Sequence, residues 1–542
     1  MQQATKARSG GHLVVESLEA LGAEVVFGMP GTHSLPIWEG LRTSPIRTFV
    51  LRTELDAGFA ADGYARASGR PAPLVLTTGP AALMALAALM EAASVHVPVV
   101  AIASQIPREL IGRGRGYLHE LRDQLASFAP VVKWAARAET AEAIPALLSE
   151  AWRRAQTPPS GPVFLEIPVD VLRGPAGIGP IHELDAEPPA PLSAAVDAVS
   201  EAARLLSQAT HPVIWAGGGV LRSGAWRELA AVAELLQAPV ATTYMGKGAF
   251  PEDHPLAVGS ACFCPAFLEL LTEADVVLCA GTELGAETTA QHTLRFSGRL
   301  IQIDADAGRI GATYPALGLV GDAKATLAAL SEEVRSPPAA NSGTTVANEL
   351  RERIAHGLEA QKRPLERGLL KTIRSTLPRD AVHTWDMTIL AYWAAEFFPA
   401  LEPRRFLYPL GSGTLGYAWP AALGAAVALP DQPTLAVVGD GGFSYGLAEL
   451  ATARQHALPV ALLVVDDGGY GVLRGHQRKA YGQTYAVDLV QPDFAALSGA
   501  FGVPTRTSTP EDLAADLEWA LELDGPAVVV LPALLETFTP IS

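Results

Sequence analysis

The chain has 542 residues, 49% of them hydrophobic and 18% charged, with a formal net charge of −17. That composition excludes a disordered chain, and the length calls for two to four packed domains. The acidic balance offers a nucleic-acid backbone no basic face, and the short GRGRG (112–116) is broken by glycines like a loop. Cys262, Cys264 and Cys279 are too few for a disulfide framework or a four-ligand zinc site, and read as interior thiols of a reducing compartment. MQQATKARSGGHLVVESLEALG at the N-terminus has no apolar signal core, and PVVAIAS (98–104) is too short to span a membrane. The expectation is a soluble, cytoplasmic protein with neither nucleic acid nor membrane as partner.

Short apolar runs alternate with alanine-rich stretches along the whole chain. AEVVFG, APLVLTT, PVVAIAS and GPVFLEIP come first, then HPVIWAGGG, APVATTY, DVVLCAG and RLIQIDA, and last TLAVVGD, PVALLVV and GPAVVVLP. None alternates with polar residues, as expected of parallel strands buried on both faces under helices. HELDAEPPAPLSAA (182–195) and RSPPAANSGTT (335–345) interrupt the rhythm and read as linkers. The predicted architecture is α/β, three doubly wound parallel-sheet domains over 1–182, 195–335 and 346–542. The first and third are candidates for similar folds.

Within the first domain, LRTELDAGFAADGYARASGRP (51–71) places Glu54 just before a run of small residues, Ala57 to Ala67, that Gly69 stops. On local grounds Glu54 is a first-turn acid favoured by the helix dipole. In the third domain, Asp440 closes TLAVVG, and Asp466 and Asp467 close PVALLVV 27 residues later. An alanine-rich segment, Leu447 to Leu458, fits a crossover helix between the two strands. Both carboxylates then reach one sheet edge, where ligands of parallel sheets bind. Carboxylate oxygens suit Mg²⁺, which completes its shell with phosphate and water. Gly439, Gly441 and Gly442 flank Asp440 at a helix start, where backbone N–H groups can face a phosphate. Gly-Asp-Gly alone also fits a turn with a capping aspartate. The spacing, the helix and the following GGYG point to a Mg²⁺–diphosphate site.

This stretch resembles the cofactor motif of thiamine-diphosphate-dependent enzymes, which begins Gly-Asp-Gly and ends Asn-Asn. The chain looks like the acetolactate synthase and 2-oxo-acid decarboxylase (benzoylformate decarboxylase-like) group over nearly its whole length. The resemblance implies pyrimidine-binding, central and diphosphate-binding domains in that order. It implies Asp440, Asp467 and the Gly469 carbonyl as Mg²⁺ ligands, with Tyr470 and Gly471 beside the cofactor. Ala61-Asp62-Gly63-Tyr64-Ala65-Arg66 matches the helix after the family's catalytic glutamate, which makes Glu54 that residue, bonded to the aminopyrimidine N1′. Gly31 and Thr32 fall in the family's early Pro-Gly loop, and Gly79 in the place of its Ser-Gly-Pro-Gly run. Gly413 and Thr414 permit close backbone approach, and Leu415 corresponds to the bulky residue that holds the cofactor bent. An active site shared between two chains, hence a homodimer or homotetramer, is also implied.

Several positions depart from the family pattern. Asp466-Asp467 replaces Asn-Asn, and Arg52-Thr53-Glu54 replaces Arg-His-Glu. His476 stands where acetolactate synthases have tryptophan, and GTELGAETTA (281–290) has Glu283 and no arginine where they have Gly-x-Arg-Phe. WDMTILAYW (385–393) lacks their Gly-Gln-His. These differences weaken acetolactate formation and make FAD an unexpected cofactor. The expected activity is decarboxylation of a 2-oxo acid, with or without carboligation to an aldehyde or oxo-acid acceptor. A true acetolactate synthase is the alternative, and a non-catalytic paralogue the more remote one. His119, with Glu120 beside it, Val472, Leu473 and His476 are the candidate substrate contacts.

Overall fold

The computed structural model describes residues 8–335 and 342–539. Part of the second expected linker, and the first seven residues of the N-terminal stretch, lie outside them. Residues 182–195 carry no helix or strand, as expected of a linker.

Three six-stranded sheets follow one another along the chain, with helices between the strands, and every strand pairing is parallel. The first holds β1 (Val25–Gly28), β2 (Arg47–Val50), β3 (Ala72–Leu76), β4 (Val99–Gln105), β5 (Trp134–Arg137) and β6 (Val163–Pro168). The second holds β7 (Pro212–Ala216), β8 (Val240–Thr242), β9 (Ala257–Gly259), β10 (Val276–Ala280), β11 (Arg299–Asp304) and β12 (Leu317–Val320). The third holds β13 (Val382–Trp385), β14 (Phe406–Leu407), β15 (Thr434–Gly439), β16 (Val460–Asp466), β17 (Thr505–Thr507) and β18 (Ala527–Pro532). All eleven apolar runs read from the sequence are strands. The fold class is the α/β, doubly wound one expected.

The first and third sheets share one winding. Their orders are β2-β1-β3-β4-β6-β5 and β14-β13-β15-β16-β18-β17, whereas the middle sheet runs β12-β11-β10-β7-β8-β9. The helices Glu54–Ser68 and Ala418–Ala428 pack against each other and join the two outer sheets into one core. Ala418–Ala428 is apolar all round and its residues through Val427 are buried, the pattern of a helix enclosed on every side. Glycine sets the approach. A Cβ at Gly63 would lie 2.1 Å from the Ala421 carbonyl oxygen, and one at Gly424 would lie 1.8 Å from that of Ala60. Backbone therefore meets backbone twice, in reciprocal fashion.

The crossover helix expected within Leu447 to Leu458 forms as Glu449–Gln455, and a second short helix, Asp440–Gly446, precedes it. The break lets Glu449 head the second helix, where its buried carboxylate accepts the Arg52 N–H at 2.7 Å. Cys262, Cys264 and Cys279 are buried. Among the described residues no helix is long and apolar enough to cross a membrane.

Candidate active site

β13, β15 and β16 lie side by side and parallel, so their carboxyl ends share an edge. The chain delivers an acid at each: Asp386, Asp440 and the pair Asp466-Asp467. A cavity of about 230 Å³ opens there. Of the residues expected at the cofactor, Gly413, Leu415, Gly439, Asp440, Gly441, Gly442, Asp467, Gly469, Tyr470 and Gly471 line it, as do Val472 and Leu473. Thr414 sits between two lining residues and turns its hydroxyl to the Leu415 carbonyl at 3.2 Å.

The helix Asp440–Gly446 begins directly at the strand end, with Gly439 as its extended cap. Small residues are required around it. A Cβ at Gly441 would stand 2.8 Å from the Tyr470 ring, and one at Gly471 would stand 1.9 Å from Asp467 Oδ2. Asp440 is nearly inaccessible, and its carboxyl is pushed up to about 6 by burial and then by Asp467. Burial raises the Asp467 carboxyl as well, against the pull of Arg474. Asp467 Oδ1 is buried and has no hydrogen-bond partner among the described residues. Crowded, desolvated carboxylates with an orphaned oxygen are what a bound cation would relieve. Among the described residues no group of three or more His, Cys, Asp or Glu is placed to hold a metal. A cation here would therefore draw further oxygens from backbone, phosphate or water. The residues present fit a cation and a diphosphate.

Two buried carboxylates shape the opposite wall. Asp386, 1% exposed, accepts the N–H groups of Met387 at 2.8 Å, Gly416 at 3.1 Å and Ala418 at 3.2 Å. Glu91 accepts Ser412 N at 2.6 Å and pairs with Arg66 at 2.8 Å. Together they pin the turn that carries Gly413, with φ of 67°, and Leu415. Met387, Thr388, Ile389 and Tyr392 also line the cavity, and sequence reasoning missed all four. Their signal was WDMTILAYW itself, a segment that follows a strand of the same edge.

The remaining expected residues gather elsewhere, at the carboxyl ends of β1, β3 and β4. Gly79 lies against His119, whose backbone oxygen a Cβ at Gly79 would meet at 2.5 Å. Gly31 abuts Thr77, and Thr32 follows it in the same loop. His119 Nδ1 is 3.1 Å from the Thr78 carbonyl oxygen, and its ring lies 5.4 Å from that of His33. His33, buried and 3.0 Å from Thr78 Oγ1, was not singled out, although it stands in the quoted loop. Gln124 anchors this region by accepting the Gly79 N–H at 2.7 Å. Glu120 instead accepts backbone N–H groups of Arg115 and Tyr117, so its carboxylate serves its own loop.

Glu54 heads the helix Glu54–Ser68, which Thr53 caps by accepting the Asp56 N–H and Gly69 ends at φ 74°. Glu54 is 3% exposed, burial raises its carboxyl, and among the described residues no side chain hydrogen-bonds to it. It does not line the cavity beside Asp440, and neither does His476, which is exposed.

The comparisons agree with this layout. Residues 8–127 match the thiamine pyrophosphate enzyme N-terminal TPP binding domain, 199–330 the central domain and 386–531 the C-terminal TPP binding domain. A probable 2-ketoarginine decarboxylase of Pseudomonas aeruginosa is 38% identical over 522 residues, covering 94% of this chain and 91% of the relative. A probable acetolactate synthase large subunit of Methanocaldococcus jannaschii is 33% identical over 559 residues, covering 97% and 92%. The acetolactate synthase isozyme 1 large subunit of Escherichia coli is 30% identical over 542 residues, covering 97% and 94%. With three parallel sheets in the family's order and matches along the chain, this protein belongs to the thiamine-diphosphate enzymes of the acetolactate synthase and 2-oxo-acid decarboxylase group.

Proposed function

We propose that the chain decarboxylates a 2-oxo acid with thiamine diphosphate and Mg²⁺, in the cytoplasm, and that the donor carries a basic side chain. The observation behind the reaction is the convergence of Asp440, Asp467, Leu415 and six glycines on one cavity. When bound, thiamine diphosphate supplies the electron sink that makes loss of CO₂ easy. Asp440, Asp467 and the Gly469 carbonyl would hold the cation. Gly441 and Gly442 leave room for the diphosphate, and Leu415 supports the bend. Glu54, desolvated and free of side-chain partners, would hold a proton at the pyrimidine N1′. Among the described residues of one chain, those lining the cavity all fall within 387–473. Glu54 would therefore come from a second copy, in a homodimer or a dimer of dimers.

The basic donor rests on Glu287 and on the relative named for 2-ketoarginine. Glu287 lines a neighbouring cavity of about 350 Å³. Leu410 and Gly411 of that cavity continue directly into Gly413 and Leu415 of the first. Burial first, and then the Glu287 charge, raise the phenol of Tyr392, which lines the cofactor cavity. Glu283 is engaged with His96 at 2.9 Å. Carboxylates at this approach favour a cationic chain end over a second carboxylate. Likeness to acetolactate synthases supports a second reading, conversion of pyruvate to 2-acetolactate.

The test supplies purified protein, cofactor and Mg²⁺ with pyruvate and with branched, aromatic and basic 2-oxo acids, following CO₂ and identifying products. Turnover of a basic acid to its aldehyde is expected. Glu54→Gln should lower it by about 10²–10⁴ with cofactor still bound. Glu287→Gln should raise KM for the basic donor by about tenfold, the value of one lost charged contact. Acetolactate from pyruvate would overturn the donor assignment, and failure to bind cofactor would overturn the reading whole.

A further inference from the structure

Asp467 brings a carboxylate to a position where the family pattern has an amide, next to a site for a strongly anionic diphosphate. We propose that Arg474 is the counter-charge that makes this tolerable, so that Asp467 and Arg474 form a matched pair serving the cation–diphosphate site. The proposal rests on the thiamine-diphosphate reading above.

Arg474 stands in the first turn of the helix Gly471–Tyr481, and its side chain is 12% exposed. Nη1 donates to the Asp467 carbonyl at 3.2 Å and lies 3.8 Å from Asp467 Oδ1. Nε donates to Asp488 Oδ1 at 2.8 Å. The guanidinium does not line the cavity, although Asp467 does. It therefore reaches the carboxylate from behind and is placed to offset charge, not to touch a phosphate. Asp488 is held beside it by two backbone bonds, Tyr470 N to Val487 O at 2.8 Å and Leu489 N to Gly468 O at 3.0 Å. One cation thus faces two carboxylates at the rim of the site. At about 11% exposure for Asp467, water screens this interaction weakly. An amide at 467 would need no such partner. Removing Arg474 while Asp467 remains leaves an uncompensated negative charge beside a diphosphate.

A double-mutant cycle tests the pairing. Protein stripped of metal by chelation is titrated with thiamine diphosphate at fixed Mg²⁺, and binding is read by calorimetry. Arg474→Gln should raise Kd at least tenfold. Arg474→Gln combined with Asp467→Asn should return it to within threefold of the unaltered chain. Arg474→Lys, which keeps the charge, should stay within threefold, and circular dichroism checks that each variant folds. A double variant as weak as Arg474→Gln would assign Arg474 to the phosphate or to the fold and overturn the pairing. Equal loss in Asp488→Asn, with no rescue by Asp467→Asn, would reduce Arg474 to a loop clamp and overturn it too. An unaltered chain that binds no cofactor would remove the reading underneath, and this shows before any variant is made.

Discussion

Gly424→Ala puts a methyl group where the helices Glu54–Ser68 and Ala418–Ala428 touch. The added carbon would sit 1.8 Å from the Ala60 carbonyl oxygen and 2.7 Å from its carbon. An ordinary contact of this kind needs roughly 3.4 Å, so the helices must part by about 1.5 Å. Nothing flexible can yield, because the atoms in the way are helix backbone. Overpacking a tight core costs about 1–3 kcal/mol, and this site belongs at the upper end. For a unit of this size about 3 kcal/mol lowers Tm by roughly 6–12 °C. Gly368→Ala, in the helix Pro364–Thr376, is the control, because a Cβ there meets nothing within 4 Å. It should be neutral or stabilising by up to about 1 kcal/mol, since alanine favours helix over glycine. Differential scanning calorimetry of both variants decides the matter. If Gly424→Ala melts with the unaltered chain, the helix contact is looser than its geometry states, and the argument fails.

Asp386→Asn keeps the shape but turns one accepting oxygen into a donor that faces a backbone N–H. It should cost about 1–3 kcal/mol at the turn bearing Leu415, seen as an equivalent weakening of thiamine diphosphate binding. His383 lies buried among Trp385, Phe398 and Phe406, and burial holds its imidazole well below 6.5. The unfolded chain takes up a proton there as pH falls through 6.5 while the folded chain stays neutral. That stability is present above pH 6.5 and is lost below it, by up to about 1.4 kcal/mol per pH unit. Urea unfolding at pH 7 and pH 5.5 should show a flatter pH dependence in His383→Gln; equal slopes would show that the histidine is not held neutral.

The long interior strands were legible because each is an unbroken apolar run between turn residues. Seven strands were not. β5, β12 and β17 are short strands at sheet edges with half-exposed residues. β13 is fully buried, yet VHTW spends two of its four positions on polar side chains. The Asp440–Gly471 half of the candidate site could be read because its acids and glycines lie close together in sequence. The facing wall could not. Asp386 and Glu91 work by accepting backbone N–H groups from the distant segment 411–418, a role with no local pattern. The crossover helix was legible, but its start at Glu449 was not, because Glu449 is drawn to Arg52, a partner 397 positions away.

The shared winding of the two outer sheets bears on the origin of the asymmetric site. The two reciprocal contacts pair Ala60 with Gly424 and Gly63 with Ala421. Ala421 lies 361 positions after Ala60, and Gly424 lies 361 positions after Gly63. The interface is thus a two-fold one folded inside a single chain, as duplication of one ancestral unit would leave it. The same step of 361 taken from Glu54 arrives at Leu415. Glu54, the first residue of one helix, and Leu415, three residues before the other, thus stand at matching offsets on this frame. The residues proposed to act on the cofactor's pyrimidine and on its bend therefore occupy corresponding places on a pseudo-symmetric frame.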